Sequence, residues 1–313
     1  MKATSTTPTP TAIPAPAPVG RPVSASAVSR RAIWMELFKA RLSALVVLTA
    51  LVGFYVGYQG AIDYTLMLHT VAGTAFLAAG AAALNQLLER EHDARMARTE
   101  HRPLPARHLT PGAVLWVGVA VSLVGIVELL LFVNALTAIL GAMTLVSYLF
   151  VYTPLKRVTP LNTAIGAIPG ALPPLMGWTA ARGQLSIEGW ALFAILFFWQ
   201  LPHFLALAWI YRDEYREAGF AMLPCYDTDG RRTAGQALSH TLGLLPLSLS
   251  PFAFGLAGRS YLVVAFILSV GFLWSAFRFS RQLSLPAARR LFFASIIYLP
   301  LLLVMMVIDK TKL

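Results

Sequence analysis

Residues 66–88 read LMLHTVAGTAFLAAGAAALNQLL, an apolar run that leads directly into the charged run EREHDARMARTEHRPL at residues 89–104. The apolar run is long enough to cross about 30 Å of hydrocarbon as a helix. Asn85, Glu89 and Asp93 follow one another at i, i+4 and i+8, so on a helix they form one stripe of oxygen-bearing side chains. Such a stripe can bind Mg²⁺, which prefers carboxylate and amide oxygens and is normally completed by substrate phosphate.

Basic side chains follow the acidic stripe. Arg98 and Arg102 supply the positive charge that a diphosphate would require, and Arg95 is a further candidate. The alternative is that these acids and arginines form ordinary salt bridges within one helix. The regular Asn-x3-Glu-x3-Asp spacing, followed by Arg-Thr-x2-Arg-Pro-Leu and by a second acidic segment four spans later, favours a functional site.

The composition is that of an all-α integral membrane protein. The 313 residues are 57% hydrophobic and 12% charged, with a mean hydropathy of +0.67. The hydropathy pattern predicts nine spans, of which the fifth is rich in proline and glycine. Such a segment is tolerated only where neighbouring helices satisfy its backbone. The predicted spans are residues 38–58, 66–88, 112–132, 134–153, 162–181, 189–209, 237–257, 261–279 and 291–308.

The distribution of basic residues predicts the orientation of the chain. With the N-terminus in the cytoplasm, 21 of the 25 lysines and arginines fall in inner segments. The positive-inside rule therefore favours a cytoplasmic N-terminus and an outer C-terminus. The net charge of +11 reflects this topology and an anionic ligand, and no nucleic acid is needed to explain it. The exceptions are Arg182, Arg259, Lys310 and Lys312.

The chain is predicted to have two parts. Residues 1–30 form a Pro/Thr/Ala-rich tract, expected to be a disordered cytoplasmic tail, and residues 31–313 form one membrane domain. A transit peptide is the alternative for the tract, because it has no acidic residue, but its prolines would break the required amphipathic helix. The single Cys225 excludes an intrachain disulfide and a cysteine-based metal site.

Two further segments are predicted to lie on the same inner face as the acidic stripe. Residues 152–162 join two helices by a short turn that presents Lys156 and Arg157, and residues 211–224 follow the sixth span and include Asp213. Acids beside bases at one face of the bilayer are typical of a site that binds Mg²⁺ and diphosphate, where a diphosphate leaves or is transferred.

These motifs resemble the protoheme IX farnesyltransferases (heme O synthases), a branch of the UbiA-type intramembrane prenyltransferases. The resemblance covers essentially the whole chain after residue 30, and its motifs are long and specific. The motifs are Asn85-Gln-x2-Glu-x3-Asp-x2-Met-x-Arg-Thr-x2-Arg-Pro-Leu104, Tyr152-Thr-Pro-Leu-Lys-Arg-x-Thr-Pro-x-Asn162, Gly166-x3-Gly170-Ala-x-Pro-Pro-x2-Gly-Trp-x-Ala180, and Trp199-Gln-x-Pro-His-Phe204 leading to Asp213-x-Tyr-x2-Ala-Gly-x2-Met-Leu-Pro224.

The resemblance implies a nine-helix bundle in the bacterial inner membrane, enclosing a cavity open to the lipid. It implies transfer of a farnesyl group from farnesyl diphosphate to a vinyl group of heme B, with addition of water, to give heme O for heme-copper oxidases. A heme A synthase or an oxidase-assembly factor is a partner suggested by that function alone. The implied roles are Mg²⁺ ligands Asn85, Glu89, Asp93 and Asp213, diphosphate-binding residues Arg98, Arg102, Lys156 and Arg157, and a catalytic set of Asn85, Glu89, Asp93, Lys156, Asp213 and Tyr215.

The sequence departs from the broader superfamily at two places. Gln86 stands where relatives have the Asp of an Asn-Asp pair, and Tyr211-x3-Tyr215 stands where many have Asp-x3-Asp. Both changes suit the heme branch. They leave open whether Asp213 or Glu214 binds a second Mg²⁺.

His203 is the residue predicted to contact heme. It lies within the sixth span beside Trp199 and Pro202, ten residues before Asp213, or about 15 Å deeper on a continuous helix. A polar residue at that depth is more often functional than not. Three roles remain open: an axial ligand of the heme iron, the base that deprotonates the added water, or a hydrogen-bonded residue inside the bundle.

Two other functions compete with this interpretation. The chain could prenylate an aromatic quinone precursor, although such an acceptor does not require His203. It could also be a transporter, but a transporter should place charges and broken helices near the midplane, often in repeated halves. Here the charges lie at inner helix ends, and only the fifth predicted span is strongly broken.

Overall fold

The computed structural model describes residues 29–311, and the predicted all-α fold is confirmed for this part of the chain. Its only β pairing is a single bridge between Ala257 and Lys310. Residues 1–28 of the predicted tail lie outside the described residues. The helices are α1 (Arg30–Leu37), α2 (Ala40–Gly57), α3 (Tyr64–Asp93), α4 (Pro111–Phe132), α5 (Ala135–Val146), α6 (Thr153–Leu155), α7 (Asn162–Arg182), α8 (Ile187–Ile210), α9 (Arg212–Glu217), α10 (Leu223–Tyr226), α11 (Arg231–Ala253), α12 (Arg259–Gln282) and α13 (Leu285–Ile308), with a π-helical segment (Ser147–Tyr152) joining α5 to α6.

The protein is a multi-pass membrane protein. Seven helical segments of the described chain are long and apolar enough to cross a bilayer: α2, α3, α4, the continuous segment Ala135–Leu155, α8, α12 and α13. Helices α7 and α11 lie at the fifth and seventh predicted spans, but internal prolines and polar residues make them less apolar. The count of nine spans therefore stays a prediction.

Helices α11 and α13 each begin six residues before the span predicted for them. Helix α11 begins at Arg231 and ends at Ala253, whereas the prediction was 237–257. Gly255 follows this helix with φ of 71°, a left-handed conformation typical of the residues that end helices. Helix α13 begins at Leu285 rather than at residue 291, with a proline in its first turn, where its missing N–H costs no helical hydrogen bond.

Close backbone contacts position the helices around the charged segments. A Cβ on Gly177 of α7 would lie 1.8 Å from Ala50 O of α2, and a Cβ on Gly53 would lie 2.0 Å from Pro174 O. Only glycine allows backbones to approach this closely, as is common where membrane helices pack. Helices α3 and α4 pack in the same way through Gly80, whose Cβ would lie 2.1 Å from a serine hydroxyl.

Candidate active site

The polar stripe lies at the C-terminal end of α3. Asn85, Glu89 and Asp93 are all buried, with relative exposures of 0%, 4% and 3%. Their four-residue spacing places them on one face of the helix. Thr99 Oγ1 donates to the carbonyl oxygen of Asp93 at 2.8 Å, and so links the end of α3 to the loop that follows.

Each member of the stripe contacts a basic side chain from outside α3. The three bases come from three separate segments: the loop between α1 and α2, the loop after α3, and the turn after α6. The pairs are therefore not salt bridges within one helix, which was the alternative interpretation of these charges. The contacts are Lys39 Nζ to Asn85 Oδ1 at 2.8 Å, Lys156 Nζ to Glu89 Oε1 at 2.8 Å, and Arg102 Nη1 to Asp93 Oδ2 at 2.7 Å.

The stripe retains oxygen atoms that could bind a cation. Glu89 and Asp93 each use one carboxylate oxygen in the ion pair, and their other oxygens accept no hydrogen bond from the described residues. With the amide oxygen of Asn85, these atoms form the hard donor set that Mg²⁺ prefers. Among residues 29–311, no group of three His, Cys, Asp or Glu side chains could hold a metal alone. A cation bound at the stripe would therefore also need the amide oxygen of Asn85 and oxygen atoms of a bound substrate.

The basic side chains outnumber the acids of the stripe. Burial lowers the pKa of Lys39 to about 7, and the positive charges of Arg102 and Lys156 contribute to this lowering. For Lys156, burial alone would lower the pKa, but the carboxylate of Glu89 outweighs it and raises the pKa above its usual range. An anionic ligand beside Lys39 would favour its charged form and so raise this lowered pKa.

The structure also joins the first and third charged segments. Arg98 Nη2 lies 3.4 Å from the hydroxyl of Tyr215, and the Arg98 guanidinium lies 5.7 Å from the centre of the Tyr211 ring. Tyr215 is buried and packs edge-on against Phe220. The two tyrosines that replace the acids common in the superfamily therefore contact an arginine of the first motif.

Arg157 contacts α3 from the second charged segment. Its side chain is exposed, and its Nη2 donates to the carbonyl oxygen of Leu88 at 2.9 Å. The turn after α6 is thus attached to α3 by Arg157 and by Lys156.

Asp213 and Glu214, the two candidates for a second metal ligand, differ in their surroundings. The side chain of Asp213 is 73% exposed, and it pairs at 3.4 Å with Arg216 and at 3.9 Å with Arg212. Glu214 Oε2 is buried and accepts no hydrogen bond from the described residues. The buried oxygen without a partner among the described residues therefore belongs to Glu214. Asp213, which was the predicted Mg²⁺ ligand, is exposed and paired with arginines.

Sequence reasoning missed two residues of this site. Lys39 counted only toward topology, yet it contacts Asn85 across 46 residues of chain. Gln86 was noted only as a departure from the superfamily. Its Nε2 donates to the carbonyl oxygens of Glu36 at 2.8 Å and Leu37 at 2.9 Å, which attaches α1 to α3. For Lys39, the only available signal was a lysine at the start of the first predicted span.

His203 lies away from these charges, in contact with α13. Its Nδ1 is 2.7 Å from Ser295 Oγ, and its ring stacks on Trp199 and Phe292. The predicted depth of about 15 Å relative to Asp213 assumed one continuous helix, whereas α8 ends at Ile210 and α9 begins at Arg212. The seven residues from His203 to Ile210 correspond to about 10 Å.

A helical membrane bundle with acids and bases paired at one end is the architecture of an intramembrane prenyltransferase. Residues 46–297 match the UbiA prenyltransferase family. The chain belongs to this family.

Its relatives confirm the resemblance to the heme branch of the family. A protoheme IX farnesyltransferase of Solibacter usitatus is 46% identical over 286 residues, covering 88% of this chain and 98% of the relative. The mitochondrial protoheme IX farnesyltransferase of Arabidopsis thaliana is 41% identical over 272 residues, covering 86% of this chain and 63% of the relative.

Solved structures agree with the fold. A digeranylgeranylglyceryl phosphate synthase superposes with a TM-score of 0.77 at 17% identity, covering 90% of this chain and 98% of that structure. A UbiA homolog from Archaeoglobus fulgidus bound to GPP and Mg²⁺ superposes with a TM-score of 0.63 at 14% identity, covering 88% of this chain and 99% of that structure.

Proposed function

We propose that this protein transfers a farnesyl group from farnesyl diphosphate to a vinyl group of heme B, with addition of water, to give heme O and diphosphate. The observation that carries the proposal is the set of three contacts between bases and the α3 stripe at the inner end of the bundle. The name of the relatives, protoheme IX farnesyltransferase, supports heme B as the acceptor.

Asn85, Glu89 and Asp93 are the proposed ligands of Mg²⁺, which would supply positive charge to the departing diphosphate. The Mg²⁺ and GPP bound to the Archaeoglobus fulgidus homolog support a metal in this role. Glu214, rather than Asp213, is our proposed ligand of a second Mg²⁺, because its Oε2 is buried without a partner among the described residues and the residue forms no metal-binding cluster with Glu89 and Asp93.

Five bases are proposed to bind the diphosphate. Three of them contact the stripe in this structure. All five could donate charge-assisted hydrogen bonds to phosphate oxygens, which would stabilise the charge that develops on the leaving group. The five are Lys39, Arg98, Arg102, Lys156 and Arg157.

The chemistry requires a leaving group and protection from water. The bond from C1 of the farnesyl chain to oxygen breaks, and its electron pair leaves with the diphosphate. The vinyl group supplies the electrons for the new carbon–carbon bond, and water adds to the resulting cation beside the porphyrin with loss of a proton. Burial of the Glu89 and Asp93 side chains, which are 5% and 4% exposed, strengthens the electrostatic interactions.

The orientation of the chain and the heme contact belong to the same proposal. With a cytoplasmic N-terminus, the site faces the cytoplasm, where farnesyl diphosphate can enter from the inner leaflet. His203 is the proposed contact of heme B. A heme A synthase or an oxidase-assembly factor would then receive the product.

Product identification tests the proposal. Purified protein in lipid nanodiscs is incubated with heme B, farnesyl diphosphate and Mg²⁺, and the pigment is analysed by mass and absorption spectrum. We expect a product heavier than heme B by one farnesyl group and one hydroxyl group. A parallel reaction with an aromatic quinone precursor is the control. Prenylation of that acceptor with no change in heme B would contradict the proposal.

A further inference from the structure

His203 of α8 is enclosed by side chains from its own helix and from α13. Its ring stacks on Trp199, with ring centres 5.1 Å apart, and on Phe292, with ring centres 4.8 Å apart. Trp199 Nε1 also donates to the carbonyl oxygen of Ser295 at 2.8 Å. Two aromatic rings therefore fix the plane of the imidazole ring. Ser295 forms hydrogen bonds with the side chains of both His203 and Trp199.

The hydrogen bonds of Ser295 determine which nitrogen of His203 carries the proton. The Ser295 hydroxyl has one hydrogen, which it donates to the carbonyl oxygen of Phe292 at 2.5 Å. Its oxygen can then only accept from His203 Nδ1, which lies 2.7 Å away. A neutral imidazole has one N–H, so Nε2 is left with a lone pair.

The other nitrogen of His203 is available to a ligand. Nε2 accepts no hydrogen bond from the described residues, and the side chain is only partly buried. In metal-binding histidines, a hydrogen bond from one ring nitrogen commonly sets the tautomer and orients the other nitrogen toward the metal. The contact with Ser295 provides that arrangement.

We infer that Ser295 is a positioning residue: it holds His203 as the Nδ1–H tautomer so that Nε2 can bind the iron of the heme B substrate. This inference rests on the proposed function, which supplies heme B as the acceptor. It concerns a residue of α13 that lies 92 positions from the histidine it orients.

Nitrogen NMR and heme titration together test the role of Ser295. The variants are Ser295→Ala, which removes the acceptor, and Ser295→Thr, which keeps the hydroxyl. The matched control is Ser269→Ala, another buried serine, whose hydroxyl lies 3.0 Å from the Tyr298 hydroxyl. The ¹⁵N shifts of the His203 ring, assigned by comparison with His203→Ala, report the tautomer without heme. Ferric heme B titration reports affinity and iron coordination.

We expect wild-type protein, Ser295→Thr and Ser269→Ala to show a protonated Nδ1 and histidine-bound heme. Ser295→Ala should show a mixture of tautomers and about tenfold weaker heme binding, the low end of the effect of losing a hydrogen bond to a metal ligand. Binding of farnesyl diphosphate, measured separately, should be unchanged in all variants. That measurement also shows that Ser295→Ala is folded.

The inference would be overturned if Ser295→Ala kept the wild-type tautomer and heme affinity. It would also be overturned if His203→Ala bound heme B as tightly, and with the same spectrum, as wild type. The proposed function is tested separately by product formation in wild type. If wild type forms heme O normally and His203→Ala binds heme B unaltered, the proposed role of Ser295 is rejected. The proposal of farnesyl transfer would still stand.

Discussion

Gln86 shows why an amide can replace an acid within the first motif. Its Nε2 donates to two backbone carbonyl oxygens at the end of α1, and the residue is fully buried. A carboxylate has no proton to donate, so an acid at this position would face two acceptors. The superfamily acid could not make these contacts in this structure.

We therefore predict that Gln86→Glu destabilises the protein by at least about 2 kcal/mol, because it removes both hydrogen bonds, leaves the buried carbonyl oxygen of Leu37 without this donor and buries a charge. Thermal unfolding in detergent measures this change. The control is Glu36→Gln, since Glu36 has an exposed side chain and contacts Gln86 only through its backbone. Equal stability of Gln86→Glu and wild type would show that the link between α1 and α3 is unimportant.

Glu89 and Asp93 are predicted to be essential for turnover. Glu89→Gln or Asp93→Asn should lower activity by at least about 100-fold, because each replaces a carboxylate that would bind Mg²⁺, and the positive charge of that ion would stabilise the departing diphosphate. Chelation of Mg²⁺ should do the same to wild type. The matched control is Glu91→Gln on the same helix, where the side chain is 73% exposed. Full activity in EDTA would reject the metal site.

Lys39 is predicted to bind diphosphate. Lys39→Met should weaken farnesyl diphosphate binding by about 1.5–3 kcal/mol, the usual range for a hydrogen bond to a charged group. Isothermal titration calorimetry measures the loss. Arg41→Met is the control, because Arg41 has the same charge two residues later and is exposed. Similar losses in both variants would indicate a general effect of charge at the membrane surface.

At the scale of helices, glycine determines how closely α2 and α7 approach. A methyl group at Gly177 would overlap the carbonyl oxygen of Ala50, which is backbone and cannot move without moving α2. The proline-rich α7 remains helical in this position, between α2 and α8. The fifth span, predicted to be strongly broken, is thus one continuous helix whose prolines are accommodated by its neighbours.

Gly177→Ala should lower the stability of the protein by about 1–3 kcal/mol, the usual cost of overpacking. Gly235→Ala on α11 is the control, since no atom lies within 4 Å of the added methyl group. That control should be neutral or slightly stabilising, because alanine favours a helix by about 1 kcal/mol over glycine. Thermal unfolding of both variants separates overpacking from helix propensity; equal stability would contradict the close contact.

At the scale of the whole molecule, the charged segments must share one face of the membrane. Burial raises the pKa of the natural Cys225 thiol, so this cysteine should react slowly at neutral pH and faster as the pH rises. A better test uses exposed positions in a Cys225→Ser background. The positive-inside distribution predicts that Asp229→Cys reacts with an impermeant thiol reagent only from the cytoplasmic side, and Ser260→Cys only from the outer side. The reverse labelling would overturn the orientation.

The sequence by itself determined the membrane class, the helical spacing of Asn85, Glu89 and Asp93, and the family, because apolar length and i, i+4 spacing are local properties of the chain. Only the tertiary structure decided the partners of these side chains. Lys39 reaches Asn85 across 46 residues and Lys156 reaches Glu89 across 67. Such pairs depend on how distant helices pack, which no local pattern encodes. For the same reason the sequence indicated His203, whereas the packing of α8 on α13 revealed its contact with Ser295.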